Sequence, residues 1–268
     1  MIWFFDSWFW WLQTMKYFHD LYPYYDYIFL ADNKNCPFGH RSWPEIEKIT
    51  FNALNWLFDN WADIVIIACN TAAAYSIRKR QSLYPDKKTL SITVPWVEQI
   101  ISNYSYSTGF SEDASVWIIA TQATVRSDIY IDLYSRFWWK WSPDFHFVMA
   151  PKLVDMVESW INDKSQIKHA ITKYLLQFPK DITTLILWCT HFSVYKAYFD
   201  GLFDWIVVDP SFYSAQKFDK YLKSHWELEN KLSKNSTTRF YTTWDTDSFD
   251  KIWFNICNKQ IISKKISI

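Results

Sequence analysis

Two of the four cysteines, Cys69 and Cys189, stand in the same local setting in distant parts of the chain. Each directly follows a short, β-branched apolar run and precedes small polar residues, in Ile-Val-Ile-Ile-Ala-Cys-Asn-Thr and Thr-Leu-Ile-Leu-Trp-Cys-Thr-His. A cysteine between a strand and a helix meets backbone N–H groups and the positive end of the helix dipole, which favour an anion and lower the pKa of a thiol. We therefore expect both thiols to be activated.

Two thiols that face each other suit acid/base chemistry on a carbon atom between them. A racemase without a cofactor needs a base on one face of the stereocentre and an acid on the other, and a thiolate–thiol pair can run in either direction. Two other interpretations remain open. Both cysteines could be inert core residues, or Cys189 alone could serve a hydrolase or decarboxylase with His191 as its base.

Composition and charge narrow the class of protein. Lys+Arg and Asp+Glu are both 28, so the net charge is zero, which argues against a dedicated nucleic-acid binder. The chain has four cysteines and no Cys-x-x-Cys pair, which predicts neither a disulfide scaffold nor a zinc site and favours a reducing, cytoplasmic compartment. No apolar run approaches the roughly 18 residues of a membrane span. We expect a cytoplasmic protein with a small-molecule partner, no nucleic-acid or membrane partner, no metal and no cofactor.

Short apolar runs alternate with helical patterns, which is typical of an α/β fold with buried parallel strands. Strands are predicted at 2–5, 27–31, 64–68, 116–120, 146–149, 185–188 and 206–208. Helices are predicted at 44–59, 154–159 and 166–178, and surface loops at 102–115 and 228–238.

Polar residues repeatedly follow the predicted strands. In open α/β sheets, ligands bind outside the carboxyl ends of the strands, so these side chains should gather there. The residues in question are Asp6, Ser7, Asp32, Cys69, Asn70, Thr71, Thr121, Cys189, Thr190 and His191. The repeated strand-then-cysteine unit favours two pseudo-symmetric domains, each a mainly parallel sheet flanked by helices.

The chain resembles the glutamate racemases of the aspartate/glutamate racemase superfamily along nearly its whole length. The resemblance rests on the two cysteine motifs and their partners occurring in the family's order. The matching stretches are 5–7, 32–42 (Asp-Asn-Lys-Asn-Cys-Pro-Phe-Gly-His-Arg-Ser), 62–72, 120–127, 151–154 with Glu158, 189–192 and 240–243.

The resemblance implies two similar α/β domains with the active site between them. We expect residues 1–94 plus 210–268 to form the domain that carries Cys69, and residues 95–209 to form the domain that carries Cys189. Family members commonly form dimers, so a homodimer is compatible with the resemblance. Cys36 and Cys257 have no partner motif, and we interpret them as structural.

The resemblance also implies roles. Cys69 would act on the D-enantiomer with Asp6 and Asp32 assisting, and Cys189 on the L-enantiomer with Glu158 and His191 assisting. The residues implied to hold the substrate are Asp6, Ser7, Phe38, Gly39, Asn70, Thr71, Thr121, Thr190 and His191. The reaction would convert L-glutamate to D-glutamate for peptidoglycan and so support cell shape.

One departure and two rivals qualify the resemblance. Family members usually have Tyr between Pro and Gly, where this chain has Phe38, so a side-chain hydroxyl is lost. An aspartate or other amino-acid racemase of the same superfamily is the nearest rival. A non-catalytic amino-acid-binding homologue is the rival from a different class.

The chain has 18 Trp and only 3 Gly, whereas a typical domain has about 7% Gly. The family opens with Phe-Asp-Ser-Gly-x-Gly-Gly-Leu, and this chain has Trp at all three glycine positions. The tryptophans at positions typical of glycine are Trp8, Trp10, Trp11, Trp61, Trp138, Trp139, Trp141, Trp188 and Trp244. We hypothesise that the gene reads UGA as glycine and is written here with tryptophan; the alternative is a genuinely Trp-rich, diverged homologue. The chain as written is then predicted to fold badly and be inactive.

Overall fold

A computed structural model describes residues 1–8, 12–95, 97–98, 115–137, 144–179, 184–202 and 206–268. Five of the tryptophans named above, Trp10, Trp11, Trp138, Trp139 and Trp141, lie outside these residues. The predicted loop at 102–115 also lies outside them except for Ser115, which begins a strand.

The described strands form two parallel sheets. They are β1 (Ile2–Asp6), β2 (Tyr27–Ala31), β3 (Ile64–Ile67), β4 (Lys88–Ser91), β5 (Ser115–Ala120), β6 (Asp144–Met149), β7 (Thr184–Trp188), β8 (Ile206–Val208), β9 (Thr238–Thr242) and β10 (Ser263–Lys265). One sheet has the order β10-β9-β2-β1-β3-β4 and the other has the order β6-β5-β7-β8. Every described ladder is parallel.

Helices provide the crossovers that parallel strands require. They are α1 (Leu12–Leu21), α2 (Trp43–Asp59), α3 (Asn70–Leu83), α4 (Gln122–Arg126), α5 (Ile129–Phe137), α6 (Pro151–Glu158), α7 (Lys164–Leu175), α8 (Thr190–Ser193), α9 (Lys196–Asp200), α10 (Pro210–Ser224), α11 (Trp226–Glu229) and α12 (Thr246–Cys257). Among the described residues, no helix is both long and apolar enough to span a membrane.

The predicted α/β class with two mainly parallel sheets is confirmed, and the seven predicted strands are present with small shifts at their ends. β1, β2 and β3 are buried along their whole length, because a parallel sheet is covered on both faces. The strands of the larger sheet come from residues 2–91 and 238–265, and those of the smaller sheet from 115–208. The exact domain boundaries stay a prediction.

Three strands, β4, β9 and β10, and most of the described helices were not assigned from the sequence. β4 and β10 lie at the edges of the larger sheet and expose polar residues, so neither has a continuous apolar run. The predicted loop at 228–238 was wrong at both ends, since α11 extends to Glu229 and β9 begins at Thr238.

Two helices end on a tryptophan with left-handed backbone. Trp61 follows α2 with φ of 68°, and Trp160 follows α6 with φ of 56°. At both ends the Trp N–H and the next N–H close the two backbone hydrogen bonds of a Schellman motif: Trp61 to Phe58 and Ala62 to Leu57, then Trp160 to Val157 and Ile161 to Met156. This position is usually glycine, because a Cβ is strained there.

Candidate active site

The carboxyl ends of the strands bring together the side chains that the sequence singled out. Asp6 ends β1, Cys69 caps α3 after β3, and Cys189 lies between β7 and α8. Both cysteines are buried, at 4% and 6% exposure. Trp8 packs against apolar clusters of both sheets, so the two halves meet beside Asp6 and Ser7.

Cys69 is linked to a carboxylate through a hydroxyl. The Ser7 Oγ atom lies 3.4 Å from Cys69 Sγ. The same hydroxyl donates to Asp6 Oδ1 at 3.2 Å, and the Ser7 backbone N–H donates to that oxygen at 2.6 Å. The Ala72 N–H donates to Cys69 Sγ at 3.4 Å from the first turn of α3. Cys69 therefore has both a helix N–H and a route for a proton towards Asp6.

Cys189 is linked to a different carboxylate through an imidazole. Its Sγ atom lies 3.5 Å from His191 Nδ1, and His191 Nε2 lies 2.9 Å from Glu158 Oε1. Glu158 is the last residue of α6, while His191 belongs to the first turn after β7. The two thiols thus have matching arrangements, each with one polar group and then a carboxylate behind it.

Asp32 supports the backbone at the carboxyl end of the larger sheet. Among the described contacts, it touches neither thiol. Its carboxylate accepts from Thr243 Oγ1 at 2.7 Å and from Asn35 Nδ2 at 2.9 Å. Its backbone N–H donates to the Asp6 carbonyl at 2.9 Å. The described contacts place Asp32 behind Asp6, where it fixes the turn after β2.

Hydroxyl groups also connect the residues beside the larger sheet with those beside the smaller sheet. Thr71 Oγ1 lies 3.1 Å from both Thr121 Oγ1 and Thr124 Oγ1. A Cβ on Gly39 would lie 3.0 Å from Thr121 Cβ, which is tighter than an ordinary van der Waals contact, so glycine favours the close approach of this backbone to Thr121. The sequence motifs place Thr71, Thr121 and Gly39 at the site, and the structure brings them together.

The remaining predicted substrate residues differ in what they present. Asn70 and Thr190 are buried in the first turns of α3 and α8, beside the two cysteines. The Phe38 ring instead packs in the hydrophobic core, with its centroid 6.4 Å from that of Phe5. Only the backbone of Phe38 is left to contact a ligand.

Burial, rather than the helix ends, sets the pKa of both thiols. It raises the pKa of Cys69 to about 12, with Asp6 adding to the rise and Ser7 and Ala72 opposing it. It also raises the pKa of Cys189, and Cys69, Asp6 and Glu158 add to that rise. The prediction of a lowered thiol pKa was wrong, because desolvation of a buried anion outweighs one helix N-terminus. Because Cys69 is among the groups that raise the pKa of Cys189, the two thiols lie within electrostatic reach of each other.

The pKa values of the two carboxylates near Cys69, those of Asp6 and Asp32, are also raised. Burial raises the pKa of Asp6 from 3.8 to about 6, and His191 is the strongest opposing influence. Burial also raises the pKa of Asp32, opposed by the hydrogen bonds from Asn35 and Thr243. Asp6 is consequently able to take up a proton near neutral pH.

Cys36 touches this site, so the expectation that it is only structural was wrong. Its thiol donates to Glu158 Oε1 at 3.0 Å, across the boundary between the two sheets. Among the described residues, Cys36, Glu158 and His191 form a group whose ligand atoms could hold a metal. Sequence spacing could not have found this contact, because 122 positions separate Cys36 from Glu158.

The comparisons with known proteins agree with this geometry. Glutamate racemase 1 of Caldanaerobacter subterraneus subsp. tengcongensis is 30% identical over 244 residues, which are 90% of this chain and 86% of the relative. The chain belongs to the glutamate racemase family. Its fold matches a glutamate racemase isoform from Bacillus anthracis with a TM-score of 0.87 at 23% identity, over 100% of this chain and 97% of that one. No family model matches the chain.

A second solved structure extends the comparison. A glutamate racemase from Francisella tularensis in complex with D-glutamate aligns with a TM-score of 0.85 at 24% identity, over 99% of this chain and 97% of that one. Membership of the glutamate racemase family makes the protein an amino-acid racemase, and thus an isomerase, as the resemblance implied.

Proposed function

We propose that the protein interconverts L- and D-glutamate without a cofactor, with Cys69 and Cys189 as the acid/base pair. The observation that carries the proposal is the matched pair of relays: Cys69, Ser7 and Asp6 on one side, and Cys189, His191 and Glu158 on the other. A single-cysteine hydrolase would need only the second relay. An inert core pair would need neither.

In the proposed reaction each thiol takes one role per turnover. A thiolate removes the α-proton of the bound amino acid, and the opposite thiol gives its proton to the other face of the carbanion. The first cysteine ends as a thiol and the second as a thiolate, so the pair is ready for the reverse direction. Because both thiols have a raised pKa, ionisation needs either Asp6 or Glu158 to accept the thiol proton through its relay, or the positive charge of the substrate ammonium nearby.

Buried acceptors support an amino acid as ligand. Among the described residues, Asp6 Oδ2 and Asn70 Oδ1 are buried and accept no hydrogen bond. An α-ammonium group offers three donors, and unsatisfied buried acceptors favour such a ligand. The hydroxyls of Ser7, Thr71 and Thr121 would serve the carboxylates. The Francisella relative was solved with D-glutamate, which supports glutamate over aspartate as the substrate.

We further propose that tryptophans such as Trp61 and Trp160 are glycines in the natural protein, encoded by UGA. Their left-handed φ values in two Schellman motifs support this. Trp188 supports it too, since its fully buried ring lies with its centroid 3.6 Å from that of Tyr130, closer than the ~4.5–7 Å that aromatic pairs prefer. Sequencing the gene decides the matter: mostly UGG codons at the 18 Trp positions would reject the idea.

The catalytic proposal is tested on the full chain with the residues that its coding DNA specifies. In deuterated water, each glutamate enantiomer should acquire deuterium at Cα as it forms its mirror image. Cys69→Ala and Cys189→Ala should each abolish racemisation, while Cys257→Ala, a change at the last residue of α12, serves as the matched control. Racemisation that survives Cys69→Ala would contradict the two-thiol mechanism, whereas hydrolysis or decarboxylation that tolerates Cys69→Ala would point to Cys189 acting alone. Aspartate in the same assay tests the nearest rival.

The cellular role follows from the product. We propose that D-glutamate supplies peptidoglycan synthesis in the cytoplasm. The protein should therefore rescue a bacterium that needs added D-glutamate for growth. Sedimentation of the purified chain, with and without glutamate, tests for a homodimer.

A further inference from the structure

The cluster formed by Cys36, Glu158 and His191 contains the three side-chain types that bind zinc in proteins. Its ligand atoms all lie within 4.8 Å of one another. Cys36 Sγ lies 3.0 Å and His191 Nε2 lies 2.9 Å from the same oxygen, Glu158 Oε1. These are different ligand types from three separate elements, so the group is not a surface patch of acidic residues.

We propose that this cluster is an inhibitory binding site for Zn²⁺ and similar thiophilic divalent cations. A tetrahedral ion with bonds of ~2.0–2.3 Å needs ligand separations of about 3.4 Å. The two contacts at Glu158 would open by a few tenths of an ångström. On binding, Cys36 loses its proton to solvent, and its thiolate, the Glu158 carboxylate and the His191 imidazole coordinate the ion. The fourth position is left for water.

The three side chains are unequally exposed, and this leaves one side of the cluster open to an ion. His191 is only 6% exposed, but the Glu158 side chain is 18% exposed and Cys36 is half-buried. Cys189 lies on the opposite edge of the imidazole, at Nδ1. The ion therefore enters past Cys36 and Glu158, and Cys189 is not one of its ligands.

The ion would block the second relay and join the two halves. It takes up His191 Nε2 and the Glu158 carboxylate, so neither can serve Cys189. It also ties Cys36, after β2 of the larger sheet, to residues beside the smaller sheet. Zinc binding does not depend on the proposed reaction, but inhibition rests on the proposed role of Cys189.

The first test measures binding alone. The full chain is stripped with EDTA, and Zn²⁺ is titrated against a chromophoric chelator. We expect one tight site per chain, and a thiolate-to-metal charge-transfer band when Co²⁺ replaces Zn²⁺. Cys36→Ser should weaken binding by at least about 10- to 100-fold, the loss that even indirect partners of a metal cause. His40→Gln removes an imidazole that pairs with Asp155 at the surface and should bind zinc like the parent.

A chemical measurement keeps the proposal falsifiable if Cys36→Ser folds poorly. Zinc should protect Cys36 of the unmodified chain from iodoacetamide, as read by peptide mapping. A folded chain that binds no zinc, a Co²⁺ complex without the thiolate band, or equal affinity in Cys36→Ser would overturn the site.

The second test measures inhibition. Saturating Zn²⁺ should lower kcat of the parent by at least about 10-fold, since positioned proton-transfer groups contribute ~10²–10⁴-fold. EDTA should restore it, and Cys36→Ser should need at least about 10-fold more zinc for the same effect. Zinc that binds without changing kcat would overturn the inhibitory role. If the parent does not racemise glutamate even with EDTA, the proposed function fails while the binding titration still decides the zinc site.

Discussion

The Nδ1 atom of His191 lies 3.5 Å from Cys189 Sγ, while its Nε2 atom lies 2.9 Å from Glu158 Oε1. The imidazole is therefore held between a thiol and a carboxylate. A carboxylate at one ring nitrogen fixes the tautomer and orientation of the ring. Glu158 acts on Cys189 through His191, which makes it a positioning residue.

Replacing Glu158 by Gln should impair catalysis without unfolding the protein. The imidazole loses its orienting charge, so part of the ~10²–10⁴-fold contribution of positioned proton-transfer groups is lost, and we expect kcat to fall about 10- to 100-fold. Glu158→Asp should recover part of the loss, and the pH profile should shift with Gln only. Asp155→Asn is the matched control, since it removes an exposed carboxylate from the same helix. A similar loss in both variants would show that the effect is not specific to the relay.

Removing the Ser7 hydroxyl should weaken the first relay. In Ser7→Ala the Cys69 thiol loses its only described hydroxyl contact and its link to Asp6. We expect kcat to fall about 10-fold, equivalent to ~1.4 kcal/mol of transition-state stabilisation. Ser76→Ala is the control, because it also removes a buried hydroxyl, one that makes no hydrogen bond among the described residues. Stopped or slowed racemisation in Ser76→Ala would argue that any buried Ser→Ala change has this effect.

The raised pKa of Asp6 predicts a pH dependence of stability. Burial raises this pKa from 3.8 to about 6, so between these values folded Asp6 binds more protons than unfolded Asp6. The free energy of unfolding should therefore fall as pH rises through this window, by up to about 3 kcal/mol. Urea unfolding across the window measures it, and Asp6→Asn should abolish this contribution.

Asp163 provides a control, because its pKa is shifted in the opposite direction to that of Asp6. Hydrogen bonds from Ser165 and Gln166 lower the pKa of this exposed carboxylate, so its contribution is lost as pH falls. Asp163→Asn should leave the fall in stability between about pH 4 and about pH 6 in place. If the free energy of unfolding depends on pH in the same way in Asp6→Asn and in the parent, the pKa of Asp6 is not raised as described.

The sequence predicted the buried half of the fold well, and the reason is physical. Strands covered on both faces, such as β1 and β3, need continuous apolar runs, and those runs are visible without a structure. Edge strands such as β10, with the sequence Ser-Lys-Lys, carry no such run. The cysteines and Asp6 were found because they lie at, or just after, the carboxyl ends of buried strands.

What the sequence could not predict depends on contacts between distant segments. Cys36 meets Glu158 only because the turn after β2 faces the end of α6. The predicted direction of the pKa shift of the thiols was wrong for a related reason. A helix N-terminus is legible in a sequence, whereas the burial of Cys69 depends on contacts with distant segments such as the one that carries Ser7. Trp160 was likewise not singled out until its φ value was known.

Replacing Trp61 or Trp160 by Gly should stabilise the chain as written. A left-handed backbone costs a non-glycine residue of order 1–3 kcal/mol, so each change should raise the free energy of unfolding by about 1 kcal/mol or more. Urea unfolding followed by far-ultraviolet circular dichroism measures this. Trp56→Gly is the matched control: Trp56 lies inside α2 and packs against Tyr241, so glycine there should destabilise the protein by at least ~1 kcal/mol. Destabilisation by Gly at Trp61 and Trp160 as well would mean that these indoles belong to the natural protein, and the recoding proposal would fail with them.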